Sequence, residues 1–400
     1  MKGVALWIAC VCWAAGCSSS SGGGAGPADG GSGDAEPPPP LPPFMPQAEI
    51  FVNGPAHDQV VGADCRLAAD YCRHNENTDM ITWNGGIWLV HRTAISQQLG
   101  PNSALHVYES TDHGKTFQQK ALIPAPTDRD IRDPCFFIVG GKLYMKALER
   151  LPNTTMTRDT GVDTVSAVKT SADGVTWAPD TVVAPHGWSF WRVKENAGVY
   201  YSAAYQDGDL QVVLYHSTDG LNWTAGPQIY GVSADTPLET ELTFMPSGKL
   251  LALVRMDGDD AELLGDVEPL RTKICWSDPP YSSFTCPQEF DTQRLDGPLS
   301  FFWQGRLFVI ARKHLVGTGK KRTSLFEIGG TLEGGPLTIK EWGQLPSAGD
   351  TSYAGIAMSD PSHAVTSWYS GDLALDQPWV TGIFAPTSIW LGTIDFSKLQ

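Results

Sequence analysis

The sequence predicts an all-β protein, a six-bladed β-propeller preceded by a signal peptide and a disordered linker. Three observations predict it. A polar turn recurs as STDHGKTF at Ser110–Phe117, SADGVTW at Ser171–Trp177 and STDGLNW at Ser217–Trp223. Trp276-Ser277-Asp278 opens a degenerate fourth copy without the glycine. Recurrence at roughly fifty residues marks a repeat architecture. Between these turns lies a second pattern: an apolar strand, a small turn, another apolar strand. It occurs six times, beginning near residues 80, 135, 189, 242, 299 and 356. Finally, 42 glycines and 14 tryptophans suit turn-rich β structure, and capped stretches of helical period are missing.

Residues 1–16 read as a lipoprotein signal peptide. Lys2 precedes an apolar run, Val4–Ala15, of about twelve residues, too short to span a bilayer as a helix. Ala14-Ala15-Gly16-Cys17 resembles the bacterial lipobox, which makes Cys17 the lipidated first residue of the mature chain. An ordinary secretory signal cut elsewhere is the alternative. With Ser rather than Asp at position 18, that resemblance implies export to the outer membrane, with membrane contact only through the lipid. Residues 17–46 are Ser/Gly-rich and then Pro-rich, a disordered tether. Residues 47–400 form the propeller, expected to be a monomer, and nothing in them reads as a transmembrane helix.

Within each unit two apolar strands flank a small turn, as in MITWNGGIWLVHR and LTFMPSGKLLALVR, and one or two short strands follow. The last unit, IAMSDPSHAVTSWYS, has no glycine in its turn. The Ser-x-Asp-x-Gly turn joins the third and fourth strands of a blade. Its Asp caps backbone N–H groups, so Asp112, Asp173 and Asp219 are folding devices. In an exported chain the spacings of Cys65 with Cys72, and of Cys275 with Cys286, favour two local disulfides; Cys135 is left as a buried thiol. No Cys/His spacing suggests zinc. The net charge of −16 excludes a nucleic-acid partner, which needs a basic footprint. Met256–Asp266 is an acidic insertion, read as solvated, with a structural calcium as the alternative. No other cofactor is expected.

Aligned on the small turn, Asn77, Arg132, Ser189, Glu239, Asp296 and Tyr353 occupy one position at the start of each innermost strand. Asp79, Pro134, Trp191, Glu241 and Pro298 follow two residues later on the same face. Polar groups gathered at the start of apolar strands mark the channel mouth as the site. Arg92, Arg150, Arg255 and Arg312 end the second strands, back beside that mouth, where guanidiniums can fork onto a carboxylate. Arg192 follows Trp191 and can point either way. Trp188, Trp191 and Trp368 suit sugar stacking or core packing equally, while His91 and His314 are read as structural.

From Asp79 onward the chain resembles the sialidase superfamily, the Asp-box propellers. That family uses a Tyr–Glu pair as nucleophile, an Asp as acid/base and an arginine triad for the substrate carboxylate. The resemblance implies Glu239, in Glu-x-Glu-Leu-Thr-Phe, as the Glu and Tyr353, in GDTSYAGIAMSD, as the nucleophile. Arg255 and Arg312 lie in the blades that supply two triad arginines, and Arg132-Asp133-Pro134 resembles the Arg-Ile-Pro signature. Glu149-Arg150 resembles the end of the following strand, with Asp159 or Asp163 as the acid. The departure is one of place, because the family's signature lies in blade one and here falls in blade two. A second resemblance, to five-bladed arabinanase and invertase propellers, implies Asp79, Asp133 and Glu239 or Glu241 as the catalytic carboxylates, in unlike environments that leave one protonated and one ionised. The expected function is a glycoside hydrolase, sialidase-like, acting on extracellular glycans at the mouth. The alternative is a non-catalytic propeller that binds glycan or protein there. The enzyme requires the Tyr353 hydroxyl and Glu239 within hydrogen-bond reach, among arginines.

Overall fold

A computed structural model describes residues 40–57, 65–66, 72–97, 102–127, 129–151, 164–206, 210–258 and 270–400. The signal peptide, Cys17, most of the tether, Asp159, Asp163 and most of the acidic insertion lie outside them. Strand β1 (Gln47–Val52) precedes blade one, which is β2 (His74–Trp83), β3 (Gly86–Ala94), β4 (Ala104–Ser110) and β5 (Gln118–Pro124). Blade two is β6 (Asp130–Val139), β7 (Lys142–Arg150), β8 (Thr164–Ser171) and β9 (Thr181–Val182). Blade three is β10 (Ser189–Asn196), β11 (Val199–Gln206), β12 (Gln211–Ser217) and β13 (Thr224–Tyr230). Blade four is β14 (Pro237–Phe244), β15 (Leu250–Met256), β16 (Thr272–Ser277) and β17 (Thr285–Phe290). Blade five is β18 (Asp296–Trp303), β19 (Arg306–Leu315), β20 (Lys320–Gly330) and β21 (Leu337–Gln344). Blade six is β22 (Thr351–Asp360), β23 (His363–Ser370) and β24 (Ser388–Asp395).

These strands form six four-stranded antiparallel sheets, because β1 pairs with β24 and completes blade six from the other end of the chain. The first strands touch one another in a ring, β2–β6–β10–β14–β18–β22, and so line the axis. Apolar clusters lie between successive blades. Val90 and Phe136 join blades one and two, Phe137 and Phe190 blades two and three, and Leu253 and Val309 blades four and five. Each fully buried aliphatic or aromatic side chain contributes about 1.5–3 kcal/mol. Phe44 and Met45, which the sequence reading left in the tether, are buried against Phe308, Trp368 and Phe396. The folded ring therefore takes in residues ahead of β1.

The recurrent turns join third to fourth strands as expected. Asp112 accepts hydrogen bonds from the N–H groups of Lys115 (3.1 Å) and Thr116 (2.9 Å), and Asp173 from those of Val175 (2.9 Å) and Thr176 (2.7 Å). The glycine is required for two reasons. Gly174 has φ +72°, and a Cβ there would meet the Trp88 ring of the preceding blade at 2.1 Å. Gly114 likewise lies against Val365 of blade six. Each turn thus seats on its neighbour, which ties blade spacing to the motif. Cys65–Cys72 and Cys275–Cys286 are disulfides, and Cys135 is a buried free thiol.

Candidate active site

Every innermost strand carries a two-residue bulge near its start: Asn77-Thr78, Asp133-Pro134, Trp191-Arg192, Leu238-Glu239, Gly297-Pro298 and Tyr353-Ala354. A bulge adds unpaired residues and re-aims side chains. Asn77, Asp133 and Tyr353 lie in the left-handed region, at φ 53°, 49° and 47°. Non-glycine residues held there store strain, and such positions cluster at functional sites. Alignment on the small turn placed Arg132 and Asp296 where the bulge places Asp133 and Gly297. Period-two alternation from Arg132 would turn its neighbour Asp133 to the opposite strand face. The bulge overrides it, and Asp133 hydrogen-bonds the Asn77 side chain across to blade one.

The Tyr353 hydroxyl donates a hydrogen bond to Glu239 Oε1. The other Glu239 oxygen accepts from the Gly297 N–H (2.7 Å) and from Arg255 (2.8 Å), so the carboxylate is fixed in orientation. Gly297, at φ +57°, leaves room for the Tyr353 ring, which a Cβ there would meet at 3.0 Å. Trp191 lies edge-on to that ring, with centroids 5.7 Å apart. The Arg312 guanidinium lies 5.1 Å from its centroid. Burial, then the Glu239 charge, push the Tyr353 phenol well above its ordinary pKa, against the pull of Arg255 and Arg312. The tyrosine therefore keeps its proton until a base takes it. Burial also raises the Asp133 carboxyl; Arg132 and Lys146 oppose that, and Glu239 and Glu76 add to it.

The other sequence candidates divide into layers. Arg92 is fully buried between Glu76 and Asp130, and Arg132 bonds Glu76 (2.9 Å) and the Gln97 carbonyl (2.9 Å). Arg132 is thus a bridge from blade two to blade one. Arg150 is half-buried at the end of β7, paired with Asp130 in the ladder. Asp79 and Glu241, the other carboxylates expected at the mouth, are buried and tie neighbouring blades together. Asp79 accepts from the Phe136 N–H (2.7 Å) and Arg192 (2.5 Å); Glu241 accepts from the Ser300 N–H (2.7 Å) and Lys194 (2.6 Å). Arg192 thereby holds Asp79, and it also borders the small cavity beside Tyr353 and Asp133. Trp368 is fully buried against Trp390 and Trp188 packs beside Tyr215, so neither platform faces the mouth. His91 stacks on His106, and His314 is buried between Asp296 and Arg294. A cavity bordered by Asn77, Asp133, Lys146, Trp191 and Tyr353 has room for about one water molecule.

Sequence reasoning missed the carboxylates that surround these arginines: Glu76, Asp130, Asp257 and Asp350. Asp257, read as part of a solvated insertion, is buried and forks onto Arg255 at 2.6 and 3.0 Å. A usable signal was present, since Glu76 and Asp130 lie level with the arginines in the strand pairing.

Among the described residues, His74, Glu76 and Asp350 bring ligand-type atoms within 4.8 Å of one another. The His74 Nδ1–H donates to the Ala385 carbonyl (2.8 Å), which leaves Nε2 facing Glu76 (3.3 Å) and Asp350 (3.5 Å). A proton on Nε2, with Arg92, Arg132 and Arg312 nearby, supplies the positive charge these carboxylates need. Burial would lower the His74 pKa, but the bonds to Asp350 and Glu76 override it and raise it to about 9. A folded-state pKa above the unfolded one stabilises fully below the unfolded value, and that contribution is lost as pH rises through the folded value. Unfolding free energy should therefore fall between pH 6.5 and about 9. A His74→Gln variant should flatten this limb of a chemical-denaturation pH series; an unchanged limb would remove His74 from the balance.

No family model and no curated protein sequence matches the chain. Solved structures do. A Dyadobacter fermentans protein of unknown function superposes with a TM-score of 0.60 at 15% identity, over 88% of this chain and 100% of that one. The NanB sialidase of Streptococcus pneumoniae gives 0.61 at 12% identity, over 85% of this chain and 70% of that one. The Trypanosoma rangeli sialidase, in a covalent intermediate with 2,3-difluorosialic acid, gives 0.55 at 14% identity, over 82% of this chain and 55% of its own. At such identities the likeness is one of architecture. The chain has the sialidase-like six-bladed β-propeller fold.

Proposed function

We propose that the chain is a glycoside hydrolase whose nucleophile is Tyr353 and whose proton acceptor is Glu239, at the channel mouth. The hydrogen bond between those two side chains carries the reading. A phenol is a weak nucleophile while it keeps its proton. Glu239 takes that proton as the Tyr353 oxygen bonds to the anomeric carbon and the glycosidic C–O bond breaks. Asp133, favoured in its protonated form by burial, gives its proton to the departing oxygen. Water then displaces the tyrosyl oxygen and yields a proton to Asp133, while Glu239 returns its own to Tyr353. Two displacements at one carbon retain anomeric configuration. The T. rangeli sialidase, described as a covalent intermediate, lends support through the shared fold. Incubation of the full-length chain with activated 2-fluoro glycosides should add one glycosyl mass to the peptide containing Tyr353. NMR of an early time point on a turned-over aryl glycoside should show the retained anomer. A label on another residue, or an inverted first product, sinks the mechanism.

On the same reading the enzyme is exported and held to the bacterial envelope, at the outer membrane, by lipid on Cys17, and acts as a monomer on carbohydrate or glycoconjugate. Cys17→Ser should move the chain from the membrane pellet to the soluble fraction. Retention in the pellet would count against the tether.

A further inference from the structure

One buried lysine has no part in the chemistry described so far. Just past its bulge, each innermost strand pairs again with the second strand of its blade. The second-strand residues at that level are Val90, Lys146, Ser202, Val254, Ile310 and Ser367. The others are aliphatic or serine, and the lysine falls in blade two, whose bulge carries Asp133. Lys146 is almost fully buried, and an ammonium is costly to bury unless it is paired. Its Nζ donates to the Asp133 carbonyl (2.7 Å). The bulge takes Asp133 out of the β6–β7 ladder, at φ 49°, so that carbonyl needs a partner from elsewhere.

The Asp133 side chain is held from blade one. Asn77, itself buried and at φ 53°, donates from Nδ2 to Asp133 Oδ1. With Oδ1 engaged as an acceptor, the proton of the neutral carboxyl belongs on Oδ2. Both holders are buried, whereas Asp133 and Tyr353 stay partly exposed. The titratable groups that face Asp133 are Arg132 on its own strand, Lys146 on β7, Glu76 on β2, Glu239 on β14 and Tyr353 on β22. Those that face Lys146 are Asp133, Asp79 and Arg192, beside the Cys135 thiol. Burial favours the neutral Asp133 carboxyl, and the Lys146 charge favours the ionised one. A group that gives a proton in one step and takes one in the next needs both forms within reach.

We propose that Lys146 and Asn77 are positioning residues for Asp133: Lys146 fixes the bulge through the backbone carbonyl, and Asn77 fixes Oδ1, so that the proton to be transferred sits on Oδ2. The proposal rests on the reading of Asp133 as the proton donor. When the glycosidic C–O bond breaks, its electron pair stays with the departing oxygen, which takes the Oδ2 proton. Asp133 is left as a carboxylate, and its new charge is met by the Lys146 ammonium and the Asn77 N–H. Neither residue exchanges a proton with the sugar.

The test uses the full-length chain and two variants. Lys146→Met keeps most of the length of the side chain and loses its N–H donors. Asn77→Gly tolerates the positive φ and removes the amide, and it carries the test should Lys146→Met fail to give a cooperative melt. The pH profile of kcat/KM is measured on phenyl glycosides. Each variant should lose ~10-fold or more at the optimum. Its alkaline limb should move up by ~0.5 pH unit or more, because a group that favours the ionised carboxyl is gone. Combined with Asp133→Asn, neither should cost anything further, since the residue it positions is already disabled. An unmoved limb, or a loss that adds to that of Asp133→Asn, overturns the proposal and leaves Asp133 as the donor. Undiminished kcat/KM in Asp133→Asn itself ends the donor reading, and the proposal with it. If no glycoside is turned over, carbon-13 NMR titration of the Asp133 carboxyl decides, with the signal assigned by its loss in Asp133→Asn. The same upward shift of its midpoint in the variants supports the proposal, and an unchanged midpoint overturns it.

Discussion

Tyr353→Phe should lower kcat by ~10³-fold or more on any glycoside the protein turns over, with little change in the melting temperature. The substitution removes one oxygen and keeps the ring that packs against Trp191 and under Arg312. What disappears is the atom that bonds to carbon. Glu239→Gln should cost ~10²–10⁴-fold, because the amide can still receive the Gly297 N–H but cannot accept the phenol proton. Asp133→Asn should behave differently again. A general acid helps a poor leaving group most, so its loss should be large for alkyl glycosides and small for activated aryl glycosides. The dependence of kcat/KM on leaving-group acidity measures this, and the plot should steepen in that variant alone. A Tyr353→Phe protein with undiminished kcat would end the nucleophile assignment outright.

The number of blades was legible because each blade is spelled out by the same local signals, a glycine turn between apolar strands and a Ser-x-Asp turn after them. Closure of the ring was not. The residues of β1 pair with β24, more than three hundred positions away, and nothing in QAEIFV names that partner. Tyr353 and Glu239 were legible because both sit at the start of an innermost strand, and the ring brings all such positions together. The contact of Asp133 with Asn77 was not legible, because period-two reasoning assumes an unbroken ladder and a two-residue bulge resets it. The carboxylates around the arginines escaped for a different reason. Ion pairing in this ring is set by three-dimensional neighbours such as Asp350 and Arg312, which lie on different blades. Asp257 follows Arg255 by two residues, yet it belongs to an acidic run whose composition reads as solvated.

Asp79 and Arg192 should matter to the ring more than to chemistry, and Asp79→Ala should lower the unfolding free energy by about 3–5 kcal/mol. Asp79 of blade one receives the Phe136 N–H of blade two and the Arg192 guanidinium of blade three, and Arg192 also donates to the Ala354 carbonyl of blade six (2.7 Å). Glu241 of blade four receives the Ser300 N–H of blade five and Lys194 of blade three. Between them the two carboxylates connect all six blades at one level beneath the mouth, where a propeller has no continuous core of its own. Removing Asp79 strands a buried guanidinium and a buried N–H, so the loss exceeds the worth of the pair it breaks. Replacing both partners with apolar residues, Asp79→Leu with Arg192→Met, removes the stranded charge and should recover much of the stability. Urea unfolding of the two single variants and the double variant gives the coupling directly. A single variant that keeps its stability while losing activity would return Asp79 to the catalytic set, since a tie across the axis cannot be cut without loosening the ring.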